Sequence, residues 1–222
     1  MKWTEEQEAI LNSDGDIIVN AVAGSGKSST LVEYCRRRPQ EKMLYLVFNR
    51  SAKLDAQQKF RDAGVSNVDI HTAHSLAYRH VVIPHAYRVK NNYSVYDIKN
   101  ILNLKGTGFH GYMIASHISK YSEAYFNSTY FKPKDMNYRD IIPTPKGREF
   151  FDANKDDILL GVEVFIEQMH EGVIDVNHSF YLKGFQLSQP QLKYDCILYD
   201  EFQDSNPVMI DIFTKQECRK VC

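Results

Sequence analysis

The sequence predicts an α/β protein with a parallel sheet flanked by helices and an inserted, mostly helical subdomain. Three observations lead to this fold class. Short apolar runs alternate with helical stretches in the first third of the chain, and a glycine-rich loop joins the first run to a long helix. A further apolar run, Cys196–Tyr199, comes only near the C-terminus and leads directly into acidic residues. Alternating strands and helices of this kind are typical of parallel α/β sheets.

Each helix of the predicted sheet domain has a local signal for its start or its end. Thr4 is placed to cap a short helix that reaches Leu11 and carries acidic residues in its first turn. The helix after the glycine-rich loop is predicted to reach Arg38 and to end at the following proline. A polar helix is predicted over 51–63, with Gly64 as its C-terminal stop. Buried strands are predicted from the apolar runs 17–19, 43–48, 68–70 and Cys196–Tyr199.

The stretch between residues 78 and 191 breaks this alternation. It is rich in Tyr, Phe, Lys and Asn, and one segment has apolar residues at helical spacing. The residues predicted to form the apolar face of that helix are Ile158, Leu159, Val162, Ile166 and Met169. The sequence therefore predicts a sheet domain over 1–77 and 192–222, and an inserted helical subdomain over 78–191.

The composition narrows the class of protein without identifying a function. The chain has 222 residues, 43% of them hydrophobic, and a formal net charge of −1. This excludes a disordered chain and argues against an unselective polycation, although a local basic groove is compatible with it. The sequence has no apolar run of bilayer length and no signal-peptide core, so we expect an intracellular protein, in the cytoplasm or nucleus, with no membrane partner. The four cysteines are scattered, which favours reduced thiols over a zinc site at Cys218 and Cys222.

The strongest chemical signal is the glycine-rich loop, Ala21 to Ser28. Its glycines let the backbone approach phosphate groups, and its amides and the following helix N-terminus direct positive dipoles at them. In this pattern Lys27 reaches the β- and γ-phosphates of a nucleotide, and the Ser28 hydroxyl ligates Mg²⁺. Ala21 stands where the general pattern has glycine, so a glycine loop without phosphate-binding function is the alternative.

The second signal is the acidic segment that follows the last predicted strand, Asp200-Glu201-Phe202-Gln203-Asp204. One carboxylate at this position can hold Mg²⁺ opposite Ser28, and its neighbour can orient the attacking water. Alone, such a cluster is usually a solvated loop. Together with the phosphate loop, it predicts the second half of one nucleotide site that binds ATP and Mg²⁺.

Five segments of the chain form an ordered set of motifs. They are Trp3-Thr4-Glu5-Glu6-Gln7, Ala23-Gly24-Ser25-Gly26-Lys27-Ser28, Tyr45-Leu46-Val47-Phe48-Asn49-Arg50-Ser51-Ala52, Ile70-His71-Thr72-Ala73-His74-Ser75-Leu76-Ala77 and Asp200-Glu201-Phe202-Gln203-Asp204. In this order they resemble the motifs of superfamily 1 DNA helicases of the UvrD/Rep type. A softer match, Tyr181-Leu182-Lys183-Gly184-Phe185-Gln186-Leu187, resembles the F-box DNA helicase branch. The resemblance implies a P-loop NTPase (RecA-like) fold and an ATP-dependent DNA helicase or translocase that acts on single-stranded DNA.

The same resemblance implies a role for individual residues. Gln7 is expected to recognise adenine, Ser28 and Asp200 to hold Mg²⁺, Glu201 to serve the attacking water, and Gln203 to link the ATP site to DNA. Lys27, Asp200, Glu201 and Gln203 are thus the expected catalytic residues. The loop residues expected to bind the nucleotide are Ala23, Gly24, Ser25, Gly26, Lys27, Ser28 and Ser29. The residues expected to contact single-stranded DNA are Phe48, Asn49, Arg50, His71, Thr72, His74 and Ser75.

A complete helicase of this family continues with a Gly-Asp-x-x-Gln motif, a second motor domain and arginines that complete the ATP site. The sequence up to Cys222 does not contain them. Because such arginines contribute strongly to the rate, we expect this chain to bind ATP·Mg²⁺, to hydrolyse it poorly and not to unwind duplex DNA by itself. Its partners are then single-stranded DNA and either the second motor domain or another protein.

Some of these residues also have simpler interpretations. His71 and His74 have a spacing that fits a metal, but no third ligand is nearby, and an ordinary loop at a strand end fits equally well. Phe48 either stacks on a base or belongs to the core. Lys132, Lys134 and Arg139 lie among aromatic residues, as on a nucleic-acid surface, but an amphipathic small domain has the same composition.

Two other functions are compatible with parts of the pattern. The first is a non-hydrolysing module that binds nucleotide or DNA and acts through a partner. The second is another phosphate-loop enzyme, such as a small kinase. Kinase chemistry does not require the matches at Gln7, Phe48-Asn49-Arg50 or His71 to Ser75, so the helicase interpretation accounts for more of the sequence.

Overall fold

The computed structural model describes residues 2–21, 25–104 and 108–222, and the chain divides into two compact units. Unit 1 comprises the chain up to Leu76 together with Gln189–Cys222. Unit 2 is the continuous segment Ala77–Ser188.

Unit 1 is built on a parallel sheet whose four strands have the order β2-β1-β3-β4. The strands are β1 (Met43–Leu46), β2 (Val68–His71), β3 (Cys196–Tyr199) and β4 (Arg219–Val221). Every residue of the two central strands, β1 and β3, is buried. Such continuous apolar runs are expected where a parallel sheet is covered on both faces. The predicted α/β class with a parallel sheet flanked by helices is confirmed.

Several helices of unit 1 begin at side chains that satisfy the free amides of their first turns. They are α1 (Glu5–Leu11), α2 (Lys27–Arg36), α3 (Arg50–Asp62), α4 (Ala73–Ala77) and α11 (Pro207–Thr214). Thr4 caps α1 and forms a reciprocal capping box with Gln7, and the Asn49 side chain accepts from the Ala52 amide at 2.9 Å. Beyond α3, Gly64 has φ +69°, in keeping with its predicted role as a stop.

The prediction of a strand over 17–19 is wrong. Ile17 makes an isolated parallel bridge to Val221, and its amide donates to the Lys220 carbonyl at 2.8 Å, but no regular strand forms. The segment lies beyond β4 at the edge of the sheet, and the Ile18 side chain is 79% exposed. A run that is covered on one side only does not require the continuous burial that the prediction assumed.

Other element boundaries also differ from the predictions. Helix α2 ends at Arg36 and β1 at Leu46, each two residues earlier than predicted. Helix α11 and strand β4 were not predicted at all. Strand β4 is only three residues long and includes Arg219 and Lys220, so neither its length nor its composition marks it as a sheet strand.

Unit 2 is helical throughout its regular elements within the described residues. After a π-helical turn at Tyr78–Val82, its helices are α5 (Ile83–His85), α6 (Val95–Ile101), α7 (Phe109–Phe126), α8 (Pro145–Ala153), α9 (Lys155–His170) and α10 (His178–Leu187). The predicted amphipathic helix corresponds to α9. It buries Ile158, Val162 and Met169 as predicted, whereas Leu159 and Ile166 are only partly buried, and Phe165 completes the buried face.

Helices α7 and α9 approach closely at Gly161. A Cβ atom at this position would lie 2.3 Å from Ile118 Cδ1, closer than real side-chain contacts allow. Because Ile118 is itself fully buried, it has little space to move aside. We expect Gly161→Ala to lower the free energy of unfolding by about 1–3 kcal/mol, although alanine is the better helix former.

Gly184 in α10 is the matched control for this prediction. A Cβ atom there would meet Val81 Cγ1 at 3.4 Å, which is ordinary contact. Gly184→Ala should therefore leave stability unchanged or raise it by up to about 1 kcal/mol. Urea unfolding followed by circular dichroism measures both variants. An equal effect of the two substitutions would contradict the packing argument.

Lys132, Lys134 and Arg139, the basic residues that could form a nucleic-acid surface, differ in their contacts with the rest of the protein. Lys132 and Lys134 are exposed, but Arg139 forms an ion pair with Asp152 at 2.8 Å and Tyr138 is buried. These contacts fit the simpler interpretation of an amphipathic domain better than a continuous basic surface. No helix formed by the described residues combines the length and the apolar character needed to cross a membrane.

Candidate functional site

The start of α2 presents the described part of the phosphate loop. Gly26 precedes the helix with φ +83°, a left-handed conformation that glycine adopts without strain. Its carbonyl accepts the Thr30 amide at 2.9 Å, which begins the helix directly at Lys27. Ser25 and Ser29 are exposed and Ser28 is partly buried. Ala23 and Gly24, which were predicted to bind the nucleotide, lie outside the described residues.

The acidic segment follows β3 and meets Lys27. Lys27 Nζ lies 3.5 Å from Glu201 Oε1, with the two side chains 26% and 44% exposed. Gln203 Nε2 donates to the other oxygen of the same carboxylate. This hydrogen bond is the main cause of a lowered pKa of Glu201; burial opposes it, and the nearby Lys27 charge adds to it. The carboxylate is therefore held in its charged form, the form that accepts a proton.

The backbone at Glu201 has φ +53°, in the left-handed region that non-glycine residues rarely adopt. It reverses the chain between β3 and the 3₁₀ turn Phe202–Asp204. The Glu201 amide donates to Asp200 Oδ1 at 3.1 Å. The turn thus directs two successive carboxylates to the same end of the sheet.

Gln7 connects α1 to the phosphate loop. Its Oε1 accepts the Thr4 amide at 3.0 Å and its Nε2 donates to the Ser25 carbonyl at 3.3 Å. Both ends of the amide are therefore in use within the protein. A ligand that took a hydrogen bond from Gln7 Nε2 would therefore have to compete with the Ser25 carbonyl.

These groups surround one cavity of about 680 Å³, within the size range of small-molecule and cofactor sites. Apolar side chains, including Ile10 and Ile18, form part of its wall. The predicted site residues that line it are Gln7, Ser25, Lys27, Asp200, Glu201 and Gln203. The fold therefore brings together side chains from α1, the phosphate loop and the end of β3 that are far apart in the sequence.

Ser28 and Asp200, the two residues predicted to hold Mg²⁺, both line a smaller cavity of about 110 Å³. A hydroxyl and a carboxylate are hard oxygen donors of the kind that Mg²⁺ prefers, and this ion commonly takes its remaining ligands from water and substrate phosphates. The donor set thus fits a magnesium ion bound with a nucleotide. Among residues 2–21, 25–104 and 108–222, no group of three or more His, Cys, Asp or Glu side chains is placed to hold a metal.

The residues predicted to contact DNA follow β1 and β2, at the same carboxyl edge of the sheet. Phe48 is 52% exposed, which removes the alternative that it belongs to the core. Arg50 is also exposed, at the start of α3. Asn49 caps that helix through its side chain, so it has a structural role whether or not DNA binds.

The second segment predicted to contact DNA, residues 71–75, makes more hydrogen bonds within the protein. His71 is buried, and its Nδ1 lies 3.3 Å from Ser75 Oγ. Thr72 and Ser75 bind each other's backbone amides, at 3.0 and 3.1 Å, and so cap α4. His74 is partly exposed. Thr72 and Ser75 are likewise partly exposed, so three of the four residues of this segment reach the surface and His71 does not.

Comparison with known proteins decides the family. Residues 3–217 match the UvrD/REP helicase N-terminal domain. The chain belongs to this family. Helicases of the family use a nucleotide and a divalent metal. The N-terminal domain of such helicases contains a RecA-like sheet domain, as the motifs predict for this chain.

Two relatives are F-box DNA helicases. F-box DNA helicase protein 1 of Schizosaccharomyces pombe is 28% identical over 244 aligned positions, which cover 98% of this chain and 26% of the relative. F-box DNA helicase 1 of Gallus gallus is 29% identical over 239 positions, covering 98% and 23%. The UvrD/REP-type chain therefore spans about a quarter of the length of these relatives.

Sequence reasoning missed one polar residue of this UvrD/REP-type site. The Tyr45 hydroxyl donates to Asp200 Oδ2 at 2.8 Å, and Tyr45 lines the small cavity with Ser28. Burial and the Asp200 charge both raise the pKa of Tyr45, so the phenol remains a hydrogen-bond donor. Its position in an apolar run predicted only a strand, and no sequence signal distinguishes it from a core aromatic residue.

Proposed function

We propose that this chain is the ATP-binding part of an ATP-dependent DNA helicase or translocase that acts on single-stranded DNA. The observation that carries the proposal is the meeting of Lys27 and Glu201, 3.5 Å apart at the wall of a cavity of nucleotide size. The family match extends over the same residues. The sheet domain, 1–77 and 192–222, holds the nucleotide in this proposal, and 78–191 is the inserted subdomain.

Each side chain has a distinct part in this proposal. Lys27 releases Glu201 and binds the terminal phosphates, because a phosphate carries more negative charge than one carboxylate. Ser28 and Asp200 hold Mg²⁺, which screens charge on the phosphates when bound. Glu201, whose pKa is lowered, then accepts a proton from the attacking water. Gln203 moves with Glu201, since the two side chains are hydrogen-bonded.

The carboxyl edge of the sheet also supplies the proposed DNA contacts. Phe48 offers an exposed ring on which a base can stack without sequence preference. Arg50, which is exposed, and His74, which is partly exposed, contact the phosphate backbone in this proposal. The capping side chains of Asn49, Thr72 and Ser75 hold the two loops in place. Buried His71 supports the second loop through its contact with Ser75 Oγ.

The test is nucleotide binding followed by phosphate release, with and without single-stranded DNA. We expect a fluorescent ATP analogue to bind in the presence of Mg²⁺ and oligo-dT to change the rate of phosphate release. We expect no unwinding of a duplex, because no arginine lines the cavity among the described residues, and arginines supply much of the transition-state stabilisation in this chemistry. Failure to bind ATP would refute the proposal.

The same feature of the cavity favours a second candidate function. A cavity that offers Lys27 but no arginine among its described lining residues can bind ATP without rapid turnover. The chain would then act as a nucleotide- or DNA-binding module that needs a partner protein or a second motor domain. Tight ATP binding with no phosphate release under single-turnover conditions, with or without DNA, favours this candidate. DNA-stimulated release excludes it.

A further inference from the structure

Tyr45 is a buried polar residue to which the motif resemblance assigns no role. It lies in the middle of β1, is 2% exposed, and packs edge-on against Phe60 with ring centroids 5.1 Å apart. Most side chains at such positions serve only the core. Tyr45 instead directs its hydroxyl to the small cavity lined by Ser28 and Asp200.

The hydroxyl fixes one of the two oxygens of Asp200. Tyr45 donates to Oδ2 at 2.8 Å, and the Glu201 amide donates to Oδ1 at 3.1 Å. With a donor on each oxygen, the carboxylate has little freedom to rotate. Tyr45 and Ser28 also line the same small cavity as Asp200, so the phenol lies beside the group that is placed to hold the metal.

We propose that Tyr45 is a positioning residue for Mg²⁺, acting by holding the carboxylate of Asp200 in the arrangement that the metal requires. This inference rests on the proposed function, because it concerns the same nucleotide site. Residues that orient metal ligands typically change metal affinity by about 10- to 100-fold when they are replaced. A tyrosine on the adjacent strand is well suited to this role, because its ring is fixed by the core.

The test is Tyr45→Phe, which removes one oxygen and keeps the ring against Phe60. A fluorescent ADP analogue is titrated at a series of Mg²⁺ concentrations and again in EDTA. We expect the Mg²⁺ concentration for half-maximal binding to rise about tenfold, with nucleotide affinity in EDTA unchanged. Tyr34→Phe is the matched control, since Tyr34 is equally buried in the same core and its hydroxyl contacts the Ser13 carbonyl. It should leave the Mg²⁺ requirement unchanged.

A double-variant experiment separates positioning from a general loosening of the core. In an Asp200→Ala background, Tyr45→Phe should add nothing to the Mg²⁺ requirement, because the group that it positions is gone. This background also removes the carboxylate that Tyr45→Phe would leave without its donor, so the experiment still works if the single variant unfolds. A rise in both backgrounds would overturn the proposal.

The remaining outcomes are equally decisive. An unchanged Mg²⁺ requirement in Tyr45→Phe would show that the hydroxyl serves the fold alone. So would an equal loss of affinity with Mg²⁺ and with EDTA. If the unmodified chain binds no nucleotide under any condition, the proposed function fails and the role of Tyr45 fails with it, whereas Mg²⁺-dependent binding that Tyr45→Phe leaves unchanged overturns the role of Tyr45 alone.

Discussion

Glu201→Gln should lower the rate of ATP hydrolysis by about 10²- to 10⁴-fold while retaining ATP binding, because a positioned general base contributes a factor of this size. Glutamine keeps the shape of the side chain and can still bond to Gln203, but it cannot accept a proton from water. It also removes the charge that holds Lys27 at 3.5 Å, so Lys27 becomes more available to the phosphates.

Single-turnover phosphate release measures the hydrolysis rate, and a fluorescent ATP analogue measures binding. Glu217→Gln is the matched control, since Glu217 is exposed in unit 1 and does not line the cavity of about 680 Å³. Loss of ATP binding in Glu201→Gln would contradict the assignment and would give Glu201 a role in holding the metal or the turn.

Lys27→Ala should weaken ATP binding about 100-fold, because a hydrogen bond between charged groups is worth up to about 3 kcal/mol and each 1.4 kcal/mol is about tenfold in affinity. The fold should survive the change. Lys27 and Glu201 are both partly exposed, so the loss of their ion pair should cost less than about 1 kcal/mol of stability.

Isothermal titration calorimetry with a non-hydrolysable ATP analogue measures the affinity, and a thermal melt checks the fold. Lys193→Ala is the control, because Lys193 is an exposed lysine of unit 1 outside the proposed nucleotide cavity. If Lys27→Ala binds ATP as tightly as the unmodified chain, the phosphate-loop assignment is wrong.

The parts of the fold that could be predicted are those whose cause is local. Thr4 caps α1 and Gly64 follows α3, because capping and left-handed turns depend on a few adjacent residues. The runs that form β1 and β3 are apolar over their whole length because both faces of the central strands are covered. Local chemistry of this kind is visible in one sequence.

The parts that could not be predicted depend on residues far away in the chain. Ile17 forms an isolated parallel bridge to Val221, and strand β4 belongs to the sheet through its parallel pairing with β3. The bond between Tyr45 and Asp200 joins residues 155 positions apart. The motif segments nevertheless contain several residues that line the cavity of about 680 Å³, since the carboxyl ends of parallel strands lie at one edge of the sheet.

The close approach of the two ends of unit 2 has a consequence for how the chain folds. Strands β1 and β3 are neighbours, and the bond from the Lys42 amide to Asp195 beside them closes a loop of 153 residues. Contacts over such distances slow folding, because loop entropy is lost before any pairing is gained. Within unit 2, however, Tyr78 and Tyr181 have ring centroids 6.0 Å apart, and Val81 adjoins Gly184. Once unit 2 has folded, it therefore acts as a short connection, and the sheet can close at little further cost in chain entropy.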